Sequence, residues 1–199
     1  LALFPLMSPG SEIVAASRLY GGSLQQMRNT YPKFGWKANI VDADQTDNFK
    51  RAVTDKTKAF FIESLANPGG VVSDIEAIAR IAEDAGVPLI VDNTMATPFL
   101  CKPIDHGATI VLHSTTKFLS GTGTSMGGAI VDSGKFDWSK GGKFPSLAGP
   151  EPAYHGLNFH ETFGDMAYTF HCHAVGLRDL GPNQAPFNAA ALPEGLVES

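Results

Sequence analysis

One lysine in the chain stands beside side chains that suit aldehyde chemistry. Lys117 follows an apolar, β-branched run that ends in hydroxyl residues, among them Ser114 and Thr116, and a second apolar run ends in Asp92. A lysine amine can form an imine, a carboxylate can pair with a ring nitrogen, and hydroxyls can donate to a phosphate. Because pyridoxal phosphate (PLP) uses each of these groups, this set of residues suggests a PLP site.

The elements that would position these side chains alternate along the chain. Short apolar or β-branched runs predict strands over residues 11–17, 38–41, 58–63, 87–91, 109–112 and 129–131. Helices are predicted between them, over residues 23–33 and 48–53. A third helix is expected from Ser73, where a capping box with Glu76 precedes apolar residues at helical spacing, and Gly86 is expected to end it.

Strand–helix alternation of this kind predicts an α/β domain with a mostly parallel sheet and flanking helices. Ligands of such sheets bind at the carboxyl ends of the strands. Glu63, Asp92 and residues 114–117 all lie at or just after predicted strand ends, so we expect them along one edge. No GxGxxG motif follows the first strand, which argues against a dinucleotide-binding domain.

The sequence changes character after Asp132. Residues 135–154 are rich in Gly, Pro, Ser and Lys, which predicts an irregular surface excursion. Apolar spacing predicts a helix over residues 163–180. The prolines of residues 181–199 predict that this tail forms no stable element.

Composition narrows the class of protein. The chain has 199 residues, 43% hydrophobic and 18% charged, which is enough for one sizeable core. A net charge of −5 without a basic stripe argues against nucleic acid as a partner. No apolar run approaches the roughly 18 residues of a membrane span, and the N-terminus lacks the basic region of a signal peptide. Cys101 and Cys172 lack CxxC spacing, so a reducing cytoplasm is expected.

Other polar groups suit other chemistries less well, and no metal site is predicted. His171 and His173 lie two apart, so in a helix they would face different directions. His160 and the glutamate after it do not complete the HExxH zinc motif. Residues 121–128 contain glycines but no Walker lysine, which indicates close backbone packing beside Lys117. His113 is expected to pack rather than react.

Two longer blocks resemble a known family. The segments VDNTMATPFLCKPIDHGATIVLHSTTKFLSG (91–121) and GKFPSLAGPEPAYHGLNFHETFG (142–164) are similar to the Cys/Met-metabolism family of PLP enzymes. The second block resembles its O-acetylhomoserine sulfhydrylase branch. The resemblance extends over nearly the whole chain. It implies the aspartate-aminotransferase-like fold (fold type I), and a homo-oligomer whose subunits share active sites.

The resemblance implies roles for the residues at the strand ends. Lys117 matches the lysine that bonds to PLP, and Asp92 matches the carboxylate at the pyridine nitrogen. Ser114 and Thr116 match the phosphate-binding pair. The structural alternatives are a strand-end aspartate that caps a turn and hydroxyls that merely form turns.

Two further residues match positions around the cofactor ring. Tyr20 matches the tyrosine that stacks over the ring, whose hydroxyl could also move protons. Asn67 matches the asparagine near the 3-oxygen. A core tyrosine and an ordinary Asn-Pro turn are the alternatives. Thr94 is a weaker candidate for a supporting role near the same strand end.

The reaction that the resemblance implies is γ-replacement on O-acetyl-L-homoserine. Sulfide or a thiol replaces acetate and gives homocysteine or methionine, while Lys117 shuttles protons at Cα and Cβ. Elimination or replacement of the cystathionine γ-synthase or methionine γ-lyase type stays open as an alternative.

The chain also departs from the family. Thr122 stands where sulfhydrylases usually carry histidine, Ala66 replaces a usual glycine, and Pro193 falls in what should be a helix. Because relatives extend beyond both ends, we expect a partial PLP-binding large domain over residues 1–181 and a truncated linker over residues 182–199. A catalytically silent fragment is therefore an alternative of a different class.

Overall fold

The computed structural model describes residues 1–192, which build a mostly parallel sheet of six strands. In chain order the strands are β1 (Glu12–Ala16), β2 (Lys37–Val41), β3 (Thr57–Glu63), β4 (Leu89–Asp92), β5 (Ile110–Ser114) and β6 (Gly128–Asp132). Across the sheet the order is β2-β1-β3-β4-β5-β6. The first five strands are parallel, and β6 is antiparallel to β5. The predicted fold class is confirmed.

Short helices connect and cover the strands. The α-helical segments are α1 (Gly21–Gln25), α2 (Asp47–Ala52), α3 (Ile75–Ala85), α4 (Thr97–Leu100), α5 (Pro145–Ala148), α6 (Phe159–Phe163), α7 (Ala167–His171), α8 (Arg178–Leu180) and α9 (Pro186–Ala190). Tighter 3₁₀ or wider π turns occupy Gln26–Thr30, Tyr31–Phe34, Pro103–His106, Thr115–Leu119, Lys140–Gly142, Pro152–Tyr154, Gly164–Met166 and Cys172–Leu177. A separate antiparallel pair joins β7 (Pro150–Glu151) and β8 (Leu157–Asn158).

The central strands are buried on both faces, as parallel strands covered by helices should be. Their fully buried side chains include Ile13, Phe60, Ile62, Ile90 and Ile110. Each large apolar side chain removed from water in this way stabilises the fold by about 1.5–3 kcal/mol. The sheet is therefore a rigid base whose strand ends can hold polar groups at fixed positions.

Every predicted strand is present, and its bounds differ from the prediction by at most two residues. The difference that matters is in β5, which continues to Ser114 instead of ending at residue 112. The extra residues pair with β6, since His113 is opposite Ala129 and Ser114 is opposite Gly128. This pairing fixes the backbone immediately before Lys117.

The start of α3 differs from the prediction. The predicted capping box from Ser73 to Glu76 is wrong, because Asp74 is the N-cap and its carboxylate accepts a backbone N–H of the first turn at 3.0 Å. The Ser73 hydroxyl instead donates to the carbonyl of Glu63 at 2.6 Å. Gly86 ends the helix as predicted, in the left-handed conformation with φ of 63°.

The region after β6 is partly buried rather than an excursion over the surface. Trp138, Phe144 and Leu147 are at most 1% exposed, and the indole of Trp138 stacks on Tyr168 with ring centroids 5.2 Å apart. The composition of this segment hid its buried aromatic residues, so the surface prediction is wrong. The predicted helix at residues 163–180 is confirmed as a succession of short helical segments.

The tail also contains a helix, contrary to the prediction for residues 181–199. Helix α9 lies within it, and Asn188 of this helix donates to the Met126 carbonyl in the glycine-rich segment at 2.9 Å. Before the helix, Gln184 accepts the hydroxyl of Thr115, which lies in the turn that carries Lys117, at 3.3 Å. The prediction about Pro193 concerns residues outside the described part. The domain division at residue 181 stays a prediction.

Within residues 1–192, none of the helices combines the length and the apolar composition that crossing a membrane requires.

Candidate active site

A cavity of about 710 Å³ opens where β3, β4 and β5 end. All six residues predicted from the sequence line it, and they come from separate parts of the chain: Tyr20, Asn67, Asp92, Ser114, Thr116 and Lys117. Their convergence follows from topology, because parallel strands bring all of their carboxyl ends to one edge. The cavity also has an apolar wall formed by Leu65, Met95, Phe118 and Met126.

Thr94 links two of the predicted residues. Its hydroxyl donates to the carboxylate of Asp92 at 2.5 Å and accepts the backbone N–H of Ser114 at 2.8 Å. The backbone N–H of Thr94 also donates to Asp92, at 3.0 Å. The Asp92 carboxylate is therefore held by one residue from two directions, and the same residue fixes the end of β5. The sequence pattern had suggested only a minor role for Thr94.

Lys117 lies in a turn whose backbone departs from a regular helix. Its φ and ψ are −93° and −125°, inside the π turn Thr115–Leu119. The turn is stabilised on both sides of the lysine. The carbonyl of Lys117 accepts the N–H of Gly121 at 3.1 Å, and the Thr116 hydroxyl accepts the N–H of Gly127 at 3.0 Å.

The glycine-rich segment packs closely behind this turn, as predicted. A Cβ added to Gly127 would lie 2.4 Å from Gln184 Cδ and 2.6 Å from Thr115 Oγ1. A side chain at position 127 would therefore force Gln184 or Thr115 to move. Thr122, at the position of the family's usual histidine, lines the cavity and lies 2.9 Å from the Thr124 hydroxyl.

Tyr20 precedes α1 and is 53% exposed, so it is not the core tyrosine of the structural alternative. Its ring passes over Gly22, since a Cβ at Gly22 would lie 2.5 Å from Tyr20 Cε1. An exposed aromatic ring at the mouth of a polar cavity is suited to stacking on a planar ligand.

Glu63 is the residue that sequence reasoning placed at the edge but to which it assigned no role. It is 4% exposed, and its two carboxylate oxygens accept the backbone N–H groups of Tyr20 at 2.6 Å and Asn67 at 2.9 Å. Burial raises the pKa of Glu63, and the nearby Asp92 adds to the rise, while the two N–H groups oppose it. A glutamate ending an otherwise apolar strand was the available signal.

A second layer of polar groups supports the strand ends from behind. The buried amide of Asn93 accepts from the Ser64 hydroxyl at 2.6 Å and donates to two carbonyls, of Thr97 at 3.0 Å and Cys101 at 2.9 Å. His113 is buried as predicted, and burial lowers its pKa despite the charge of Asp92. The imidazole is thus held mainly neutral at pH 7.

The other histidines lie away from this edge. His171 is 2% exposed, packs edge-on against Phe159 with ring centroids 5.0 Å apart, and has Nε2 3.4 Å from a Glu151 carboxylate oxygen. His160 lies 3.7 Å from Asp137. Within residues 1–192, groups of three or more His, Cys, Asp or Glu side chains placed to hold a metal ion are absent.

The fold and the cavity define a PLP-enzyme large domain, and comparison with known proteins gives the family. The model of the Cys/Met metabolism PLP-dependent enzyme family matches residues 1–197, so the chain belongs to that family.

Individual relatives share close to half of their aligned residues with this chain. It is 47% identical over 204 residues to the O-acetyl-L-homoserine sulfhydrylase of Leptospira meyeri. It is also 47% identical over 198 residues to the homocysteine synthase of Schizosaccharomyces pombe. Both alignments cover 98% of this chain and 46% of the relative. The chain thus spans about half the length of the curated relatives that it matches.

The structure is also similar to solved structures of proteins with related names. A putative O-acetylhomoserine (thiol)-lyase from Campylobacter jejuni, whose structure carries a pyridoxyl-lysine monophosphate, superposes with a TM-score of 0.93 at 36% identity. The match covers 98% of this chain and 48% of that one.

The donor set in the cavity fits PLP. An amine, a carboxylate, hydroxyl groups and an exposed aromatic ring line a single space of about 710 Å³, which lies in the usual range of cofactor sites. Gly22 leaves room for the Tyr20 ring in its present position, because a Cβ there would lie 2.5 Å from Tyr20 Cε1. Cofactor chemistry of this class is what the family description states.

Proposed function

We propose that the protein containing this chain catalyses PLP-dependent γ-replacement on O-acetyl-L-homoserine. Sulfide replaces acetate to give homocysteine, or a thiol such as methanethiol replaces it to give methionine. The observation that carries the proposal is the convergence of six side chains, expected from the sequence to serve PLP, on one cavity. The relatives named as O-acetyl-L-homoserine sulfhydrylase and homocysteine synthase support this choice of substrate and product.

Four of the proposed roles concern binding and orientation. When bound, PLP supplies an aldehyde carbon and an electron-withdrawing ring that weakens bonds at the substrate Cα. The Asp92 carboxylate would accept a hydrogen bond from the protonated ring nitrogen, with Thr94 holding that carboxylate in place. Ser114 and Thr116 would donate hydroxyl hydrogens to phosphate oxygens. Tyr20 would cover the ring face.

Two residues would act nearest the reacting atoms. Lys117 would hold the aldehyde carbon through Nζ and, once the substrate amine has replaced it there, would move protons at Cα and Cβ. Asn67 would donate its side-chain amide to the ring oxygen.

We also propose that the protein is a homo-oligomer. Large apolar side chains are exposed: Met126 at 73% and Phe118 at 53% line the cavity, and Phe99 of α4 is 89% exposed. Patches of this kind mark interaction surfaces. Light scattering of the purified protein should give a multiple of the chain mass. Both cysteines are free thiols, which supports a reducing compartment such as the cytoplasm.

Borohydride trapping tests the role of Lys117. The protein is incubated with PLP, reduced, digested and mapped by mass spectrometry, and we expect the pyridoxyl group on Lys117. Lys117→Ala should lose the adduct and the visible absorbance of the cofactor. Its rate of homocysteine release from O-acetylhomoserine and sulfide should fall by several orders of magnitude. Lys102→Ala is the matched control, because that lysine does not line the cavity.

The products separate the alternatives. Keto acid and ammonia would indicate elimination, and cystathionine formed from added cysteine would indicate the synthase alternative. An adduct without any turnover would favour a catalytically silent chain. An adduct at another lysine, or visible absorbance retained by Lys117→Ala, would contradict the proposed site.

A further inference from the structure

The carboxylate of Glu63 joins two segments that meet in the cavity. Tyr20 follows β1, and Asn67 lies in the loop after β3, 43 and 4 residues from Glu63 respectively. One oxygen accepts the N–H of Tyr20 at 2.6 Å, and the other accepts the N–H of Asn67 at 2.9 Å. The contacts are to the backbone, so they fix where each residue begins rather than which side chain it carries.

Glu63 is itself well fixed. It is the last residue of the buried strand β3, in register with Asp92 of β4. Its carbonyl accepts the Ser73 hydroxyl at 2.6 Å, and its side chain is 4% exposed. Because the strand is rigid and the carboxylate cannot turn to solvent, the two N–H groups are held at a nearly constant separation.

Fold stability alone does not account for a charge at this position. The carboxylate is buried and lies beside a second carboxylate on the neighbouring strand, and residues 1–192 provide no cationic side chain among its contacts. Charges in such surroundings cost stability, and an apolar residue of similar volume is often at least as stable. The number of acceptor atoms explains a glutamate at position 63 better. A carboxylate has two oxygens that can each accept a hydrogen bond, whereas a side-chain amide has only one.

We propose that Glu63 is a positioning residue that sets the ring of Tyr20 and the amide of Asn67 relative to one another. It acts through their backbone N–H groups and does not touch the cofactor. This inference rests on the proposed function, because it takes Tyr20 and Asn67 as cofactor contacts. It deepens that function by naming the group on which their spacing depends.

Glu63→Gln tests the proposal with little change in volume. One of the two N–H groups must lose its acceptor, so amide hydrogen exchange at Tyr20 or Asn67 should accelerate roughly tenfold or more, as expected for a hydrogen bond to a charged group. PLP affinity should fall by a similar factor, and the circular dichroism of the cofactor band should change. Glu63→Asp keeps two acceptors on a shorter chain and should lie between Glu63→Gln and the wild type.

Glu12→Gln is the matched control. Glu12 is also a buried strand glutamate, at 8% exposure, but it lies at the opposite end of the sheet. It should leave amide exchange at Tyr20 and Asn67, and the cofactor band, unchanged. Because Glu12 is remote from the cavity, Glu12→Gln changes stability without changing the backbone of Tyr20 or Asn67. A change in the cofactor spectrum that is confined to the Glu63 variants therefore separates positioning from an effect on stability.

The outcomes distinguish this inference from the proposed function. If wild type forms no Lys117 adduct, the proposed function fails. If the adduct forms but Glu63→Gln retains wild-type amide exchange, affinity and cofactor spectrum, the role of Glu63 is wrong. If Glu63→Gln does not fold, hydrogen exchange of the Tyr20 and Asn67 backbone amides is measured in the wild-type protein without PLP, and that measurement decides whether Glu63 holds them. Slow exchange at both amides supports the proposal, and fast exchange at either one overturns it.

Discussion

Two buried glutamates at opposite ends of the sheet show how the same residue serves different purposes. Glu12 is the first residue of β1, and Glu63 is the last residue of the adjacent parallel strand β3. Both are less than 9% exposed. Because the strands are parallel, one carboxylate lies at the amino edge of the sheet and the other at the carboxyl edge, beside the cavity.

Their partners differ. Glu12 accepts hydrogen bonds from the side chains of Asn39 at 2.8 Å and Thr54 at 3.0 Å, and lies 3.4 Å from Lys37. Burial pushes the pKa of Glu12 upward, but these hydrogen bonds and the lysine charge outweigh it and lower that pKa below its ordinary value.

Glu63 has backbone donors and a like charge nearby, so the outcome is reversed. Burial raises its pKa, Asp92 adds to the rise, and the N–H groups of Tyr20 and Asn67 only partly offset it. The amino edge thus carries a carboxylate that stabilises the fold, and the carboxyl edge carries one that is kept despite its cost. The contrast teaches that partner type, rather than burial, marks the functional edge.

The largest effect is expected from a hydroxyl that serves both a carboxylate and a backbone N–H. Thr94 donates to Asp92 and accepts from Ser114. Thr94→Val keeps the shape but removes the acceptor of the Ser114 N–H and one of the two donors to Asp92, whose bond to the Thr94 backbone N–H remains. The substitution should cost about 2–4 kcal/mol. That cost should appear as a lower free energy of unfolding and as weaker PLP binding, measured by denaturant titration and by cofactor absorbance.

Thr54→Val is the matched control at the amino edge. Thr54 likewise donates to a carboxylate, that of Glu12 at 3.0 Å, and accepts a backbone N–H, that of Lys56 at 3.1 Å. It is exposed, so its loss should cost at most about 1 kcal/mol and leave PLP affinity unchanged. Equal losses of PLP affinity in the two variants would contradict the distinction between the edges.

The next largest effect is on the pH dependence of the free energy of unfolding. Relative to wild type, Glu12→Gln and Glu63→Gln should change this dependence with opposite signs. The raised pKa of Glu63 means that its contribution to stability is fully present below about pH 4.5 and is lost as pH rises through the folded-state value. The lowered pKa of Glu12 means that its contribution is present above about pH 4.5 and is lost as pH falls through the folded-state value.

Denaturant unfolding across acidic to neutral pH checks these signs. Relative to wild type, Glu63→Gln should gain stability as pH rises above about 4.5, and Glu12→Gln should lose stability as pH rises toward it. One proton limits each slope to about 1.4 kcal/mol per pH unit. Slopes of the same sign would show that the two carboxylates share one kind of environment after all.

Much of the fold and the candidate site could be predicted because strand patterns are local. Apolar runs located all six strands, and the topology rule for parallel sheets then placed Asp92, Ser114 and Lys117 along one edge. Tyr20 and Asn67 came from family resemblance, since neither residue has a distinctive pattern of its own.

What escaped prediction depends on contacts between distant residues. The cap of α3 was predicted at the wrong residue because Ser73 and Asp74 are both good caps. The choice of Asp74 depends on the Glu63 carbonyl, to which the Ser73 hydroxyl donates instead. The burial of Trp138 depends on packing against Tyr168, thirty residues later. The partners of Glu63 come from two loops, whose meeting point no local pattern encodes.

The smallest effect concerns the ring that lies over Gly22. A Cβ at Gly22 would be 2.5 Å from Tyr20 Cε1, whereas a Cβ at Gly21 would meet no atom within 4 Å. Neither glycine has a positive φ, so alanine suits the helical backbone at both and should change stability by no more than about 1 kcal/mol. Gly22→Ala should therefore move the exposed ring and weaken PLP binding by a few-fold, with little effect on folding.

Gly21→Ala is the matched control and should leave PLP affinity unchanged. Identical PLP affinities for the two variants would mean that the ring position at the carboxyl edge does not limit cofactor binding, and that the backbone positions set by Glu63 matter more than the side chain they carry.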